Sequence, residues 1–430
     1  MKRLLLLGAG FVLVLMPAGP ARTAPVSDVF AVDVLTCNVY MPPIVAPGMA
    51  ERAAQLSKPL KGHDVVLLQE AYSDGAREAL LAGLARDYPY QSRVLGRDSG
   101  FRQDGGVAIV SRWPIEHEFQ LPFADLCGGS DCLADKGVLY ARINMAGRRL
   151  HVFATHLQSG RGNGAIREKQ LQRLRGLIDA MRLPADEPVL IGGDLNVDRL
   201  GDPDDGFAML ARVLNARHPD APANDRHRPT FDPARNTLAS GGNRAKYLDY
   251  VLYSERHLRP FMAFNRVREL AVDDAPLSDH FAVHGRFVFE APKRAAPGST
   301  FPVVELLEGS DPRSDFLCNL SLQTGRDILV DDRRNCAGDT KSAFRLSDIP
   351  AGHVIRMYEN AGGSRSDDWL EITAKRHIAS RRFDSLEQPV EDAEIRVRYH
   401  GEDGFNGRIS RVEVRTAPII AERQDTTSGQ

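Results

Sequence analysis

The sequence predicts an α/β fold over residues 27–290, followed by a small all-β domain over 300–416. Three observations predict this. Short apolar runs alternate with turn signals and helical patterns up to about Glu290, a Pro- and Gly-containing stretch interrupts the chain at 291–299, and only short strand-like runs follow it. With 430 residues, 43% hydrophobic and 26% charged, the composition is that of a soluble globular chain and excludes collagen-like, coiled-coil and wholly disordered readings. Lys and Arg number 55 against 57 Asp and Glu, a formal charge of −2, so no global basic field favours nucleic acid. Any anionic substrate must be held locally.

The N-terminus stands apart from the core. Lys2 and Arg3 precede an apolar run from Leu4 to Met16, and Pro17 to Ala24 is small and breaker-rich, which is the order of a secretory signal peptide over residues 1–24. That run is too short to span a bilayer as a mature helix, and no later run is long enough, so an exported soluble protein is expected. Candidate strands then follow at Phe30 to Thr36, Val65 to Leu68, Gly106 to Val110, Val138 to Ile143, Leu150 to Thr155, Val189 to Ile191, Leu248 to Leu252 and Phe281 to Val288. Helical periodicity marks Asp74 to Arg86, through Leu80, Leu81 and Leu84, and Ile166 to Arg182, through Leu171, Leu174, Ile178 and Met181. Two Pro and a Gly within 291–299 make a linker that separates two cores. The second core takes strands near Ile328 to Val330, Val354 to Tyr358, Trp369 to Thr373, Ile395 to Tyr399 and Ile409 to Val414, and residues 423–430 form a polar, disordered tail.

Export makes disulfides readable. Five cysteines are present, so one stays free or pairs between chains. Cys37 lies within an apolar run and is expected as a buried thiol, Cys127 and Cys132 flank a Gly-Gly-Ser-Asp turn that brings them together, and Cys318 is expected to pair with Cys336. No CxxC knuckle supports a zinc site.

The chemistry is written where polar residues end apolar strands. Asn38 follows Leu35-Thr36-Cys37, Glu70 follows Val65 to Gln69, His156 follows Phe153-Ala154-Thr155, Asp194 and Asn196 follow Val189 to Gly193, and Asp249 lies within Tyr247 to Leu252. Strands that share a core expose their ends together, so these groups gather on one rim and offer oxygen ligands for a hard cation beside two imidazoles, His156 and His280. Asp279 and His280, an acid and an imidazole entering an apolar strand, belong to the same set.

In these segments, together with Asp104-Gly105-Gly106, Asp135-Lys136-Gly137, Thr155-His156-Leu157-Gln158 and Ser278-Asp279-His280, the chain resembles the endonuclease/exonuclease/phosphatase superfamily and its bacterial neutral sphingomyelinase branch. The motifs run in the family's order from about residue 30 to 290. The resemblance implies a four-layer α/β sandwich, two packed β-sheets flanked by helices, and a Mg²⁺-dependent phosphodiesterase of phospholipase C type that converts sphingomyelin to ceramide and phosphocholine. By the same resemblance Glu70 binds the metal with help from Asn38, and His280 is the general base oriented by Asp249. Asp194 and Asn196 position water and phosphate, His156 with Asp104 as its partner serves the transition state or leaving group, and Lys136 meets the substrate phosphate. A carboxylate for a hard cation, imidazoles of near-neutral pKa and an amide beside developing phosphoryl charge are also what this chemistry requires.

Two departures from the branch are visible. Toxin-like members carry an aromatic hairpin between the last two motifs, whereas here Tyr253 to Leu277 has Phe261, Met262 and Phe264 and no Trp. Those three read as core residues of a strand, so deep bilayer insertion is not expected, although peripheral membrane contact is compatible with a phospholipid substrate. The C-terminal domain is the second departure, and its Trp369, Asp367 and Asp368 read as folding residues. A monomer is expected. Rival readings are a secreted nuclease on the same fold, against which the balanced charge speaks, and an inactive core that carries a binding domain, against which the clustered polar groups speak.

Overall fold

A computed structural model describes residues 29–98, 101–123, 125–201, 206–219, 228–240 and 242–290, and most of 302–416. The leader at 1–24, the linker at 291–299, the tail at 423–430 and the pairing expected of Cys318 with Cys336 lie outside the described residues.

In chain order the first unit runs β1 (Val29–Asn38), α1 (Met49–Leu56), β2 (Val65–Gln69), α2 (Asp74–Leu84), β3 (Tyr90–Gln91), β4 (Ala108–Ser111), β5 (Ile115–Pro122), β6 (Gly137–Met145), β7 (Arg148–His156) and α3 (Gly164–Met181). It continues through β8 (Val189–Asp194), α4 (Phe207–Leu214), β9 (Ala216–Arg217), β10 (Asp249–Ser254), β11 (Met262–Arg268), β12 (Ala271–Val272), β13 (Ala275–Pro276) and β14 (Ala282–Glu290). One sheet has the order β11-β14-β1-β2-β4-β3, and the other β5-β6-β7-β8-β10-β9.

The alternation of β1 shows why the sheets stack. Val32 and Val34 turn inward onto Leu139, Val152, Leu190 and Val251 of the second sheet, while Leu35 and Cys37 turn outward onto Leu56 of α1 and Leu80 and Leu84 of α2. Across the other sheet, Leu171, Leu174 and Ile178 of α3 and Leu210 and Leu214 of α4 cover Phe153 and Ile191. Strands covered on both faces cannot alternate apolar with polar, and hence β2 and β8 read as continuous apolar runs. The result is the four-layer sandwich the resemblance implies. Cys37 is a buried free thiol, and Cys127 and Cys132 are bridged.

The sheet edge overturns one expectation. Phe261 and Met262 are not core: they are 62% and 52% exposed, standing just before and at the start of β11, an outermost strand of its sheet.

The second unit pairs a four-stranded sheet with a six-stranded one, around a core that includes Phe344, Ile355, Leu370, Ile372, Ile395 and Val412. It is more than tethered to the first. Glu305 meets Arg93 at 2.7 Å and Asp348 meets Arg142 at 3.1 Å, all with largely buried side chains, and Val303 belongs to the same apolar cluster as Phe153.

Candidate active site

Strand direction gathers the site. β1 and β2 are parallel, as are β7 and β8, so Asn38, Glu70, His156 and Asp194 all arrive at one rim as strand ends. Asp249 starts the antiparallel β10 opposite Asp194, and His280 stands two residues before β14. Close approach of β7 and β8 is required here: a Cβ on Gly193, at φ +139°, would lie 1.9 Å from the Thr155 carbonyl oxygen.

The sequence-predicted residues meet in two overlapping clusters, Glu70 with His156 and Asp194, and Asp194 with Asp249 and His280. Asn38 Nδ2 donates to Glu70 Oε1 at 2.9 Å and to Asp194 Oδ2 at 3.2 Å. His156 Nε2 lies 3.5 Å from Asp194 Oδ2 and 3.9 Å from Glu70 Oε1, and His280 Nε2 faces the same Asp194 oxygen at 3.8 Å. His280 Nδ1 donates to Asp249 Oδ2 at 2.8 Å. Asn196 donates through its amide to the Leu157 carbonyl at 3.0 Å, while its backbone N–H holds Asp194 Oδ1 at 3.0 Å. Glu70 and Asn196 both sit at positive φ, +57° and +50°, conformations that a packed surrounding must enforce.

Burial sets the electrostatics. It pushes the Asp194 carboxyl up to about 6, with the Asp249 charge adding to the effect, raises Glu70, and takes Asp279 to about 6. His156 falls well below the usual imidazole range because it is buried and faces the Lys136 cation and His280. His280 moves the other way: burial opposes its charge, yet Asp249, Asp194 and Asp279 outweigh burial and raise it well above that range. One rim thus holds a weakly basic imidazole and a strongly basic one.

Lys136 is buried, with Nζ 3.1 Å from the Leu157 carbonyl and 3.2 Å from Asp131. Asp104 corrects an expectation. It is not the partner of His156; it pairs with Arg77 at 2.9 Å and accepts from Gly106 N–H, since Arg77 of α2 points back beneath the Glu70 loop onto the Ala71 carbonyl. His156 Nδ1 instead faces the Tyr72 hydroxyl at 3.4 Å. Burial also pushes the Asp104 carboxyl up to about 6.

Sequence reasoning missed four supports. Tyr72 lies two residues beyond Glu70, just past the strand end that the polar pattern marks. Arg52 is buried and donates to the Val39, Tyr40 and Leu277 carbonyls, clamping the Asn38 loop to the His280 loop; its signal was a charge on the apolar stripe of α1, four residues before Leu56. Thr230 Oγ1 accepts from the Leu248 and Asp249 N–H groups, and Phe231 stands edge-on to His280 at 5.3 Å. No pattern around these two marks them in sequence.

The donor set fits a hard divalent cation. Two carboxylates and an amide converge, the second Asp249 oxygen is buried without a hydrogen-bond partner, and among the described residues the clusters contain no cysteine that would favour a softer metal.

Comparison with known proteins agrees. Residues 35–280 match the Endonuclease/Exonuclease/phosphatase family. Sphingomyelinase C of Bacillus cereus is 34% identical over 297 residues, covering 62% of this chain and 88% of that protein. Sphingomyelinase C of Leptospira interrogans is 30% identical over 387 residues, covering 66% of that protein and 79% of this chain, more than residues 1–301 could supply, so that likeness reaches into the second unit. A crystal structure of a beta toxin mutant from Staphylococcus aureus with bound magnesium ions is 29% identical, with a TM-score of 0.53 over 60% of this chain and 99% of that one. Sphingomyelinase C from Streptomyces griseocarneus gives 28% and 0.51, over 60% and 99%. The chain belongs to the Endonuclease/Exonuclease/phosphatase family and, within it, to the bacterial neutral sphingomyelinase branch.

Proposed function

We propose that this protein is a Mg²⁺-dependent phosphodiesterase of phospholipase C type, hydrolysing sphingomyelin to ceramide and phosphocholine. The observation that carries the reading is the opposed pair of imidazoles across Asp194, His280 Nε2 at 3.8 Å and His156 Nε2 at 3.5 Å.

Glu70, helped by Asn38, would hold the metal, with Asp194 close enough to share it. When bound, the divalent cation supplies positive charge that offsets the clustered carboxylates and the charge developing on the phosphoryl oxygens. Asp249, Asp194 and Asp279 favour a protonated His280 while no cation offsets them; a bound divalent cation would offset that charge, and His280, its Nδ1–H committed to Asp249, would then present Nε2 to take a proton from the attacking water. Asp249 acts as a positioning residue: it fixes the tautomer and stabilises the imidazolium. His156 stays neutral, with Nδ1 turned to the Tyr72 hydroxyl and Nε2–H turned to the carboxylates, so it donates a hydrogen bond to the phosphoryl group or to the oxygen of the departing ceramide alkoxide. Asp194 and Asn196 orient water and phosphate, Asp279 contributes negative charge beside His280, and Lys136 supplies the fixed cation nearest the phosphate subsite. Asp104 with Arg77 shapes the loop beneath.

Contact with membrane is proposed through the rim itself. Ile44 and Val45 follow Asn38, Phe101 precedes Asp104, and Leu133 precedes Lys136; Ile44 and Phe101 are fully exposed and the other two more than half. The Phe101 and Leu133 loops are joined, Gln103 N–H donating to the Leu133 carbonyl at 2.7 Å. Lipid at these side chains would face the catalytic mouth. Export is supported by the charged, apolar and small-residue order of 1–24 and by the Cys127–Cys132 bridge, which persists in oxidising surroundings. Among the described residues no helix is long and apolar enough to cross a membrane.

The test is turnover of sphingomyelin, phosphatidylcholine and plasmid DNA by wild type, His280→Ala, His156→Ala and Glu70→Gln, with Mg²⁺ and with chelator. Sphingomyelin turnover should be lost in chelator and fall about 10² to 10⁴-fold in each His variant. Preference for DNA, or full activity in chelator, would overturn the reading.

A further inference from the structure

α1 and α2 pack over β1, β2 and β4, and beside them, on the outer face at the β11–β14 edge, lies a cavity of about 380 Å³. Lys61, His63, Arg228, Arg266 and Arg268 line it, against the single carboxylate of Glu269. Alternation along β11 explains the charge: Asn265 and Val267 are buried between the sheets, so Arg266 and Arg268 stand on the outer face, both exposed. The acids nearby are already engaged. Glu269 is bonded by Arg228 and Arg235, and Lys61 meets Asp87 at 2.8 Å. Asp33 serves His284 and Arg286 of the neighbouring strand β14. Among the described residues no ion pair is recorded for Arg268.

We propose that this cavity is an anion site for phosphate-type groups, separate from the catalytic rim. Guanidinium groups recognise tetrahedral oxyanions through paired N–H donors, and several cations gathered in one concavity repel each other until an anion joins them. His63 reports that field: burial lowers its pKa, and the charges of His284 and Arg268 lower it further, with Asp33 acting in the opposite sense. Its ring stands edge-on to His284 at 4.9 Å and its Nδ1 faces the Leu60 carbonyl. The shared chemistry is a phosphate group, supplied either as a free anion or on the headgroup of an anionic lipid.

Inorganic phosphate is titrated calorimetrically into chelator-treated full-length protein at low ionic strength, where screening is weakest. Wild type and His280→Ala should both show one saturable site, and Arg266→Gln/Arg268→Gln should bind about tenfold more weakly or not at all, as Lys61→Gln should to a lesser degree. Both cavity variants should keep wild-type turnover of a soluble phosphocholine ester, which shows that they are folded and makes the result independent of the catalytic assignment. Sedimentation with phosphatidylcholine vesicles, with and without phosphatidylglycerol, separates the sources: binding to the anionic vesicles that the double variant loses identifies a lipid headgroup, and loss of phosphate binding alone identifies the free anion. The proposal is overturned if neither probe distinguishes wild type from the double variant, or if His280→Ala abolishes phosphate binding while the double variant retains it.

Discussion

Replacing Ile44 by Asn should strengthen the fold and weaken membrane binding at once. Ile44 is fully exposed and sits at φ +74°, where a β-branched side chain costs about 1–2 kcal/mol and Asn is tolerated. Ile44→Asn should therefore raise the melting temperature by roughly 2–4 °C for each kcal/mol recovered. Full burial of an Ile or Phe side chain yields ~1.5–3 kcal/mol, and half-immersion at an interface roughly 1 kcal/mol each, so Ile44→Asn with Phe101→Ser should lose about 2 kcal/mol, near 30-fold in partitioning. The assay is co-sedimentation with sphingomyelin–phosphatidylcholine vesicles in chelator, with hydrolysis of a soluble ester as the activity control.

The control pair is Phe261→Ser with Met262→Ser. Met262 lies opposite Val288, and Val288 opposite Ala31, seven residues before Asn38 on β1. At ~3.3 Å per residue that places them about 23 Å from the rim, at the far end of the sheet. A membrane touching them would not face the catalytic mouth, so their loss should leave vesicle binding intact. If the rim pair binds vesicles as wild type does, or the Phe261/Met262 pair does not, the rim assignment is refuted.

Tyr72→Phe removes the hydroxyl beside His156 Nδ1 and should lower kcat about 3- to 10-fold with KM unchanged; unchanged kcat would make Tyr72 a packing residue only. Mg²⁺ should stabilise the fold more at pH 7.5 than at pH 5. Asp194 carries a folded pKa raised from 3.8 to about 6, so its protonated form favours the metal-free fold at low pH, and this contribution is lost as pH rises through 6, where the ionised carboxylate becomes available to metal. An equal or larger Mg²⁺-induced thermal shift at pH 5 would contradict that. A chain ending at residue 290 should be less stable than the full chain, because the cut uncovers apolar surface that Val303 shares and removes the Arg142–Asp348 and Arg93–Glu305 pairs. Equal denaturant midpoints for the long and short chains would show that the interface contributes nothing.

Much of the first unit was legible because buried strands leave a one-dimensional trace. β2 and β8 are apolar until they end on a polar group, and α3 repeats Leu171, Leu174 and Ile178 over about two turns. What stayed hidden depends on long-range partners. β11 mixes Met262 and Phe264 with Arg266 and Arg268 on its outer face, and α1 and α4 have eight residues each, too few for a secure period. In the second unit the paired strands Ala343–Ile349 and Ile378–Phe383 set Arg345 opposite Arg382 on one face and Arg381 opposite Leu346 on the other, which blurs the alternation that marks a strand.

The site was legible for the same reason and misread for another. Strand-end polar groups name their own place, since parallel pairs must deliver their ends to one rim, so Asn38, Glu70, His156 and Asp194 were found together. Partnership between side chains carries no such trace. Asp104 looked like a partner for His156 because both sit in site motifs, yet α2 brings Arg77 to Asp104 and the Glu70 loop brings Tyr72 to His156. The fold can hold those loops in costly conformations because it fixes their backbones from several sides: Met41 N–H donates to the Glu70 carbonyl, Ala71 N–H to the Gly106 carbonyl, and Arg52 binds the loop after Asn38 to that before His280. Glu70 at positive φ is thus a position where sequence preference yields to tertiary constraint, and a glycine there would relax the backbone while removing the carboxylate on which metal binding depends.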